Sequence, residues 1–217
     1  MQDTLPKSRH VGSKLKRGRP PGSSAEATRQ RLLLAAARHF SSAEYSEVSL
    51  QDIAAECGIT GAAIYNHFSS KEELFASVAE HMMKVNGKAI QQAIADHTEW
   101  RSMLRAVLRL ICKDTTGWFR FTLLVPAVQL KMMQKPEKFA SLLTLRAVYV
   151  DCFRQIVDCA LAAGDLPQAT SKAAAAELLL AFTFNGLGAV IAHRTSDEEV
   201  AELVHHAAIL LGFAKQA

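Results

Sequence analysis

Two stretches of this 217-residue chain carry side chains whose types and spacing suit a polyanion. The first is Lys16-Arg17-Gly18-Arg19-Pro20. A glycine between two arginines lets extended backbone sink into a narrow groove. The two guanidiniums then follow the negative potential of an A·T-rich minor groove. The second stretch runs from Thr60 to Lys71. A short helix opening at Thr60 exposes Gly61, Ala62 and Ala63 at its start and brings Tyr65 and His67 to its end. Lys71 opens the helix after it. Hydroxyls, an imidazole, an ammonium and a helix N-terminus at this distance make a phosphate clamp. Direct base readout is thin, because glycine and alanine side chains cannot hydrogen-bond to a base edge. They touch thymine methyls, and Thr60 adds one hydroxyl.

Charge agrees with that division. Residues 1–31 hold eight Lys/Arg and two acids, and the other 186 residues hold seventeen and nineteen. The basic excess therefore belongs to the N-terminus, where neutralising phosphates releases counterions. No nucleophile elbow, phosphate-binding loop, dinucleotide fingerprint or zinc-binding helix motif occurs, so no catalytic residue, metal or cofactor is expected. Glu202 and His205 form a single Glu-x-x-His, whereas a di-iron bundle needs two such pairs and two further Glu. The four cysteines have neither CxxC spacing nor a dense framework, which favours a reduced, cytoplasmic setting. The basic start is followed by no apolar signal region. Residues 173–192 are apolar, but Glu177, Asn185 and two glycines favour burial against protein over a membrane span.

These residues need helices to hold them. Residues 1–22 have no hydrophobic period and form a flexible basic arm. Ser23 and Glu26 have capping-box spacing, and Leu33, Ala36, Ala37 and Phe40 make one face of a helix over 24–41. Ser49 and Asp52 cap a second, short helix that stops at Gly58. Thr60 caps a third, and Ser70 with Glu73 caps a long fourth. The second and third helices, separated by a Gly-containing turn, have helix-turn-helix spacing. From 71 onward everything reads as helix, with breaks near Gly117, Lys135–Pro136, Gly164–Pro167 and Thr195–Asp197, and a kink at Pro126.

The segment from Thr28 to Val78 resembles the DNA-binding domain of the TetR family of bacterial transcriptional regulators. The matching elements are Thr28-Arg29, the Ala-rich helix ending in Phe40, Tyr45, Ser49, Asp52-Ile53-Ala54, and Gly58-Ile59-Thr60. Ile64-Tyr65-Asn66-His67-Phe68 and Lys71-Glu72 complete the set. Two positions depart from the family: Glu44 stands where Gly is usual and Cys57 where Ala is usual. The resemblance implies an all-α homodimer. Its N-terminal three-helix helix-turn-helix domain (23–70) would bind an inverted-repeat operator. Its larger C-terminal helical domain (71–217) would bind an effector and dimerise. It also implies phosphate contacts near Thr28, Ser49, Tyr65, His67 and Lys71, and base contacts from Thr60–Ala63. Separately, the run around Arg17, Gly18 and Arg19 resembles an AT-hook core.

The C-terminal region is rich in aromatics and methionines. Trp118, Phe119, Phe121, Met132, Tyr149, Phe153 and Phe182 are the expected walls of a pocket for a small apolar or aromatic effector. Arg120 and Arg146 are candidate anchors for a carboxylate. The last two helices, about 168–193 and 197–214, are apolar enough to pair across a two-fold axis. The function expected is that of a ligand-responsive repressor; the alternative is an architectural A·T-preferring DNA binder without an effector. Deleting residues 1–22 is expected to weaken DNA binding and to erase preference for A·T-rich flanks, as read by gel shift at fixed salt.

Overall fold

The computed structural model describes residues 25–113 and 118–183, with isolated positions at 196, 198–199, 202, 205–206 and 209; side chains are described outside 112–120. Among the described residues the fold is all-α, with no strand. The helices are α1 (Ala25–Ser42), α2 (Leu50–Glu56), α3 (Lys71–Ala95), α4 (Trp100–Lys113), α5 (Trp118–Gln134), α6 (Ala140–Ala162) and α7 (Lys172–Ala181). Single 3-10 turns lie at Ala63–Asn66 and Pro136–Lys138. No helix is long and apolar enough to cross a membrane, again among the described residues.

Local chemistry sets the helix ends. The Ser49 hydroxyl accepts from the backbone N–H of Gln51 (3.2 Å) and Asp52 (3.4 Å) and opens α2. The Ser70 hydroxyl accepts from Glu73 N–H at 3.1 Å and opens α3. The Glu73 carboxylate reaches back to Ser69, one residue earlier than a capping box requires, and accepts from its N–H at 2.8 Å. Helices α2 and α6 stop in the same way. Gly58 (φ +70°) donates to Ala55 and Ile59 to Ala54; Gly164 (φ +73°) donates to Leu161 and Asp165 to Ala160. Both are Schellman closures, which place glycine in the left-handed conformation.

One helix break escapes the sequence pattern. The sequence reads as helix through 96–99, whereas α3 ends at Ala95 and α4 starts at Trp100. Asp96, His97 and Thr98 are weak helix formers, and tertiary packing decides the corner. The buried Trp100 indole N–H donates to Asp165 Oδ2 at 2.8 Å, and Arg101 Nη1 donates to the same oxygen at 2.9 Å. Pro126 lies within α5, where the chain remains helical through to Gln134.

The helices enclose two apolar cores. One joins α1, α2 and the first half of α3 to α5 and the start of α6: Leu32, Phe40, Ile53, Ile64, Phe68, Phe75 and Val78 pack with Phe121, Leu124, Val128, Phe139 and Leu142. The other joins the second half of α3 to α4, α6 and α7 through Ile90, Trp100, Leu104, Leu108, Phe153, Ile156 and Leu179. The 25 residues of α3 serve both, over a length of about 37 Å. Asn86, which follows Met82 of the first core and precedes Ile90 of the second, is fully buried with both amide atoms unpartnered. Asp165→Ala leaves the Trp100 indole without this acceptor. It is expected to cost about 1–3 kcal/mol in urea unfolding.

Candidate nucleic-acid interface and ligand cavity

The helix-turn-helix is built from α2, the turn Cys57–Ala62 and the 3-10 turn Ala63–Asn66. The third element is therefore shorter than the helix expected from Thr60 onward. Thr60 is not its N-cap, a place taken by Ala62; its Oγ1 accepts from Ala63 N–H at 3.1 Å, within the turn that precedes. Thr60, Ala62, Tyr65 and Asn66 are exposed; Tyr65 retains 57% of its surface. Gly61 and Ala63 are half-buried. A Cβ on Gly61 would lie 3.2 Å from Gln51 Cγ, so this glycine serves the close approach of the turn to α2.

Four further residues were expected at phosphates, and of these His67 is half-buried. Ser49 is half-buried, with its hydroxyl oxygen engaged as the α2 cap. Lys71 is half-buried and donates from Nζ to the Ser46 carbonyl at 3.1 Å, above the Tyr45 ring. Burial, and then the neighbouring Lys131 charge, hold its ammonium below the usual lysine range. Thr28 departs from the expectation. It is buried, and its Oγ1 accepts from Arg31 Nη2 at 3.3 Å, because α1 turns this position toward the core. Arg17, Gly18 and Arg19 lie outside the described residues.

Sequence reasoning gave Arg29 no role. Its guanidinium lies 4.2 Å from the Phe68 ring centroid, donates to the His67 carbonyl at 3.1 Å and reaches the Ser77 hydroxyl at 3.3 Å. It therefore fastens the end of the recognition segment to α1 and α3. The 38-residue separation of Arg29 from His67 hid this pairing from sequence reasoning.

A second set of contacts joins this unit to α5 and its exit. Lys71 and Lys131 both lie over the Tyr45 ring, at 4.8 and 4.4 Å. The Glu72 carboxylate receives Lys135 at 2.8 Å and Lys138 at 2.7 Å. Hydrogen bonds from Lys135 and then Lys138 pull its pKa from 4.5 to about 2.

A cavity of about 290 Å³ lies among α3, α5, α6 and α7. Phe121, Met132 and Tyr149 are on its wall, together with Met83, Val125, Val128, Leu142 and Leu180, which sequence reasoning did not select. The polar wall residues are Gln129, Arg146 and Tyr149. The Tyr149 hydroxyl donates to the Met83 carbonyl at 2.7 Å, and burial pushes its pKa upward. Arg146 forks onto Glu177: Nη1 donates to Oε1 at 2.9 Å, and Nη2 donates to Oε2. This pairing lowers the carboxyl pKa of Glu177 and raises that of Arg146. Two expected wall residues are elsewhere. Phe153 is fully buried in the α4–α6–α7 core, and Phe182 packs against that core from its edge. One helical turn separates Phe153 from Tyr149, and tertiary packing decides which faces the cavity. The side chains of Trp118, Phe119 and Arg120 lie outside the described residues. A larger groove of about 710 Å³ runs between residues 40–47 and α5, with Glu44 and Glu47 on its rim.

Residues 32–78 match the family model described as bacterial regulatory proteins, tetR family. The transcriptional activator FasR of Mycolicibacterium smegmatis is 32% identical over 80 residues, 37% of this chain and 36% of that protein. The match thus spans about a third of that relative's length. A tetR-family regulatory protein from Rhodococcus RHA1 superposes with TM-score 0.66 at 20% identity, covering 89% of this chain and 100% of that one. AibR, solved with isovaleryl coenzyme A and operator DNA, superposes with TM-score 0.64 at 24% identity, covering 82% and 97%. At these identities the structural likenesses show the fold.

The Glu72 pKa lies below its ordinary value, so its tie to the lysines stabilises the fold above about pH 4.5. The contribution is lost as pH falls toward 2. Both lysines are about half exposed, so solvent screening keeps the expected contribution small. Glu72→Gln should flatten the acid limb of melting temperature against pH between 4.5 and 2, and lower the melting temperature at pH 7.

Proposed function

This chain belongs to the TetR family of bacterial regulatory proteins, and on that premise we propose that it is a cytoplasmic, ligand-released repressor acting as a dimer on an inverted-repeat operator. One observation carries the reading: the exposed recognition segment and the cavity are joined through helices that share a core. Phe121, Val128 and Leu142 have a place both in the core beneath the helix-turn-helix and on the cavity wall. A ligand that moves α5 therefore changes the surface on which α1 and α3 rest.

In the DNA-bound state Thr60, Ala62 and Tyr65 meet the major groove, with Tyr65 and the exposed Asn66 at its phosphate edge. Ser49, Gly61, Ala63, His67 and Lys71 shape that surface, and the arm with Arg17, Gly18 and Arg19 adds minor-groove contacts. Two subunits present their recognition segments to successive major grooves about 34–36 Å apart. The dimer forms through α7 and the chain after it, the stretches 168–193 and 197–214 expected to pair across the two-fold axis.

An effector favouring a different subunit spacing shifts the population away from the DNA-bound state. A coupling of about 1–3 kcal/mol loosens the operator roughly 5–150-fold, enough for derepression. Tyr45 with Lys71 and Lys131, and Glu72 with Lys135 and Lys138, are the contacts that carry the shift from α5 and its exit to the start of α3.

Selection from random DNA by the purified chain at near-physiological salt tests this reading. An inverted repeat, with binding weakened at least about fivefold by Tyr65→Ala, is the expected outcome. Enrichment of A·T-rich DNA without symmetry would replace it with the architectural reading.

A further inference from the structure

The cavity among α3, α5, α6 and α7 is walled by apolar side chains apart from three, and these differ in what they can still offer. The Tyr149 hydroxyl is committed to the Met83 carbonyl. Gln129 is exposed at the wall. Arg146 is the one cation among the described wall residues.

What Arg146 recognises is already displayed. Its guanidinium holds a carboxylate, that of Glu177 on α7, through two parallel hydrogen bonds. The fork geometry of arginine matches a carboxylate better than any neutral group, and charge-assisted pairs of this kind are the strong ones. Arg146 and Glu177 keep 47% and 43% of their side-chain surface, so this end of the cavity reaches solvent. An ion pair so exposed contributes little to stability and exchanges readily. A carboxylate delivered on an apolar chain brings the burial of that chain as an extra gain, which the Glu177 carboxylate does not have.

Resting on the effector reading above, we propose that the cavity takes an apolar monocarboxylate, whose carboxylate replaces that of Glu177 on Arg146 while its chain lies between α5 and α6. A methylene is close to a water molecule in size, so 290 Å³ holds about ten such units. That matches a medium-length alkyl chain. Gln129 is the second polar group available to the head. Freeing Glu177 removes this tie between α6 and α7, so occupancy is read out in the helix that leads to the chain's last segment.

The test is isothermal titration of the full chain with decanoate and with 1-decanol, both below their self-association concentrations. Wild type, Arg146→Gln and Glu177→Gln are compared after thermal melts show that each is folded. Wild type should bind decanoate at least about tenfold more tightly than decanol. Arg146→Gln should erase that difference. Glu177→Gln removes the competing carboxylate and should tighten decanoate several-fold relative to decanol. Equal binding of acid and alcohol by wild type overturns the proposal, as does a preference for the acid that survives Arg146→Gln, or no binding of either. Release of operator DNA by decanol, or by any neutral apolar compound, under those results would show that the effector reading stands while the carboxylate assignment falls.

Discussion

Phe75 sits where the main surfaces of the N-terminal half meet. Its ring packs edge-on to Phe40 at the end of α1 (4.9 Å), to Tyr45 in the following turn (5.2 Å) and to Phe139 at the start of α6 (6.3 Å). It is fully buried, and it lies on α3, one turn after Lys71 and Glu72. Aromatic rings held this way resist sliding, because close-packed interiors switch between arrangements and do not deform smoothly. The helix-turn-helix thus has no private core. Its floor is made partly by α5 and by Phe139 and Leu142 where α6 begins, and Phe121, Val128 and Leu142 of that floor also wall the cavity. A ligand near Phe121 or Leu142 acts on one continuous packed body.

The elements legible in the sequence are those whose cause is local. Ser49 and Ser70 cap because a hydroxyl at that spacing finds a free N–H. Gly58 and Gly164 stop helices because they adopt a positive φ at no steric cost. The apolar stripe of α1 shows its buried face directly, and ordered matches from Thr28 to Lys71 make the helix-turn-helix recognisable. What escaped has a distant cause. The corner at 96–99 is tied down by Asp165, which accepts from the Trp100 indole 65 residues earlier. The lysines on Glu72 come from 63 and 66 residues away. Thr28 was expected to face phosphate, yet it is buried, with its hydroxyl accepting from the exposed Arg31. The cavity was legible in composition but not in membership, since burial in a core and exposure to a void draw on the same side chains.

The recognition segment shows a division of labour. Its small residues let the turn lie close to α2: a Cβ on Gly61 would come within 3.2 Å of Gln51 Cγ. Its large residues are sorted by height: Ile64 and Phe68 are buried below, while Tyr65 and Asn66 stand above. Arg29 holds the far end down through His67 and Phe68, leaving the presented surface short and rigid.

The two lysines on Glu72 make ionic strength act on this chain in two places. Mobile ions reduce attraction between DNA phosphates and basic side chains by displacing the counterion gain. The same ions weaken the ties of Lys135 and Lys138 to Glu72 only in part, because pairs 2.8 and 2.7 Å long lie well inside the Debye length of about 8 Å at physiological salt. If the chain binds DNA as proposed, the slope of affinity against salt would carry a small part from this internal joint, which touches no phosphate, beside the larger part from intermolecular contacts.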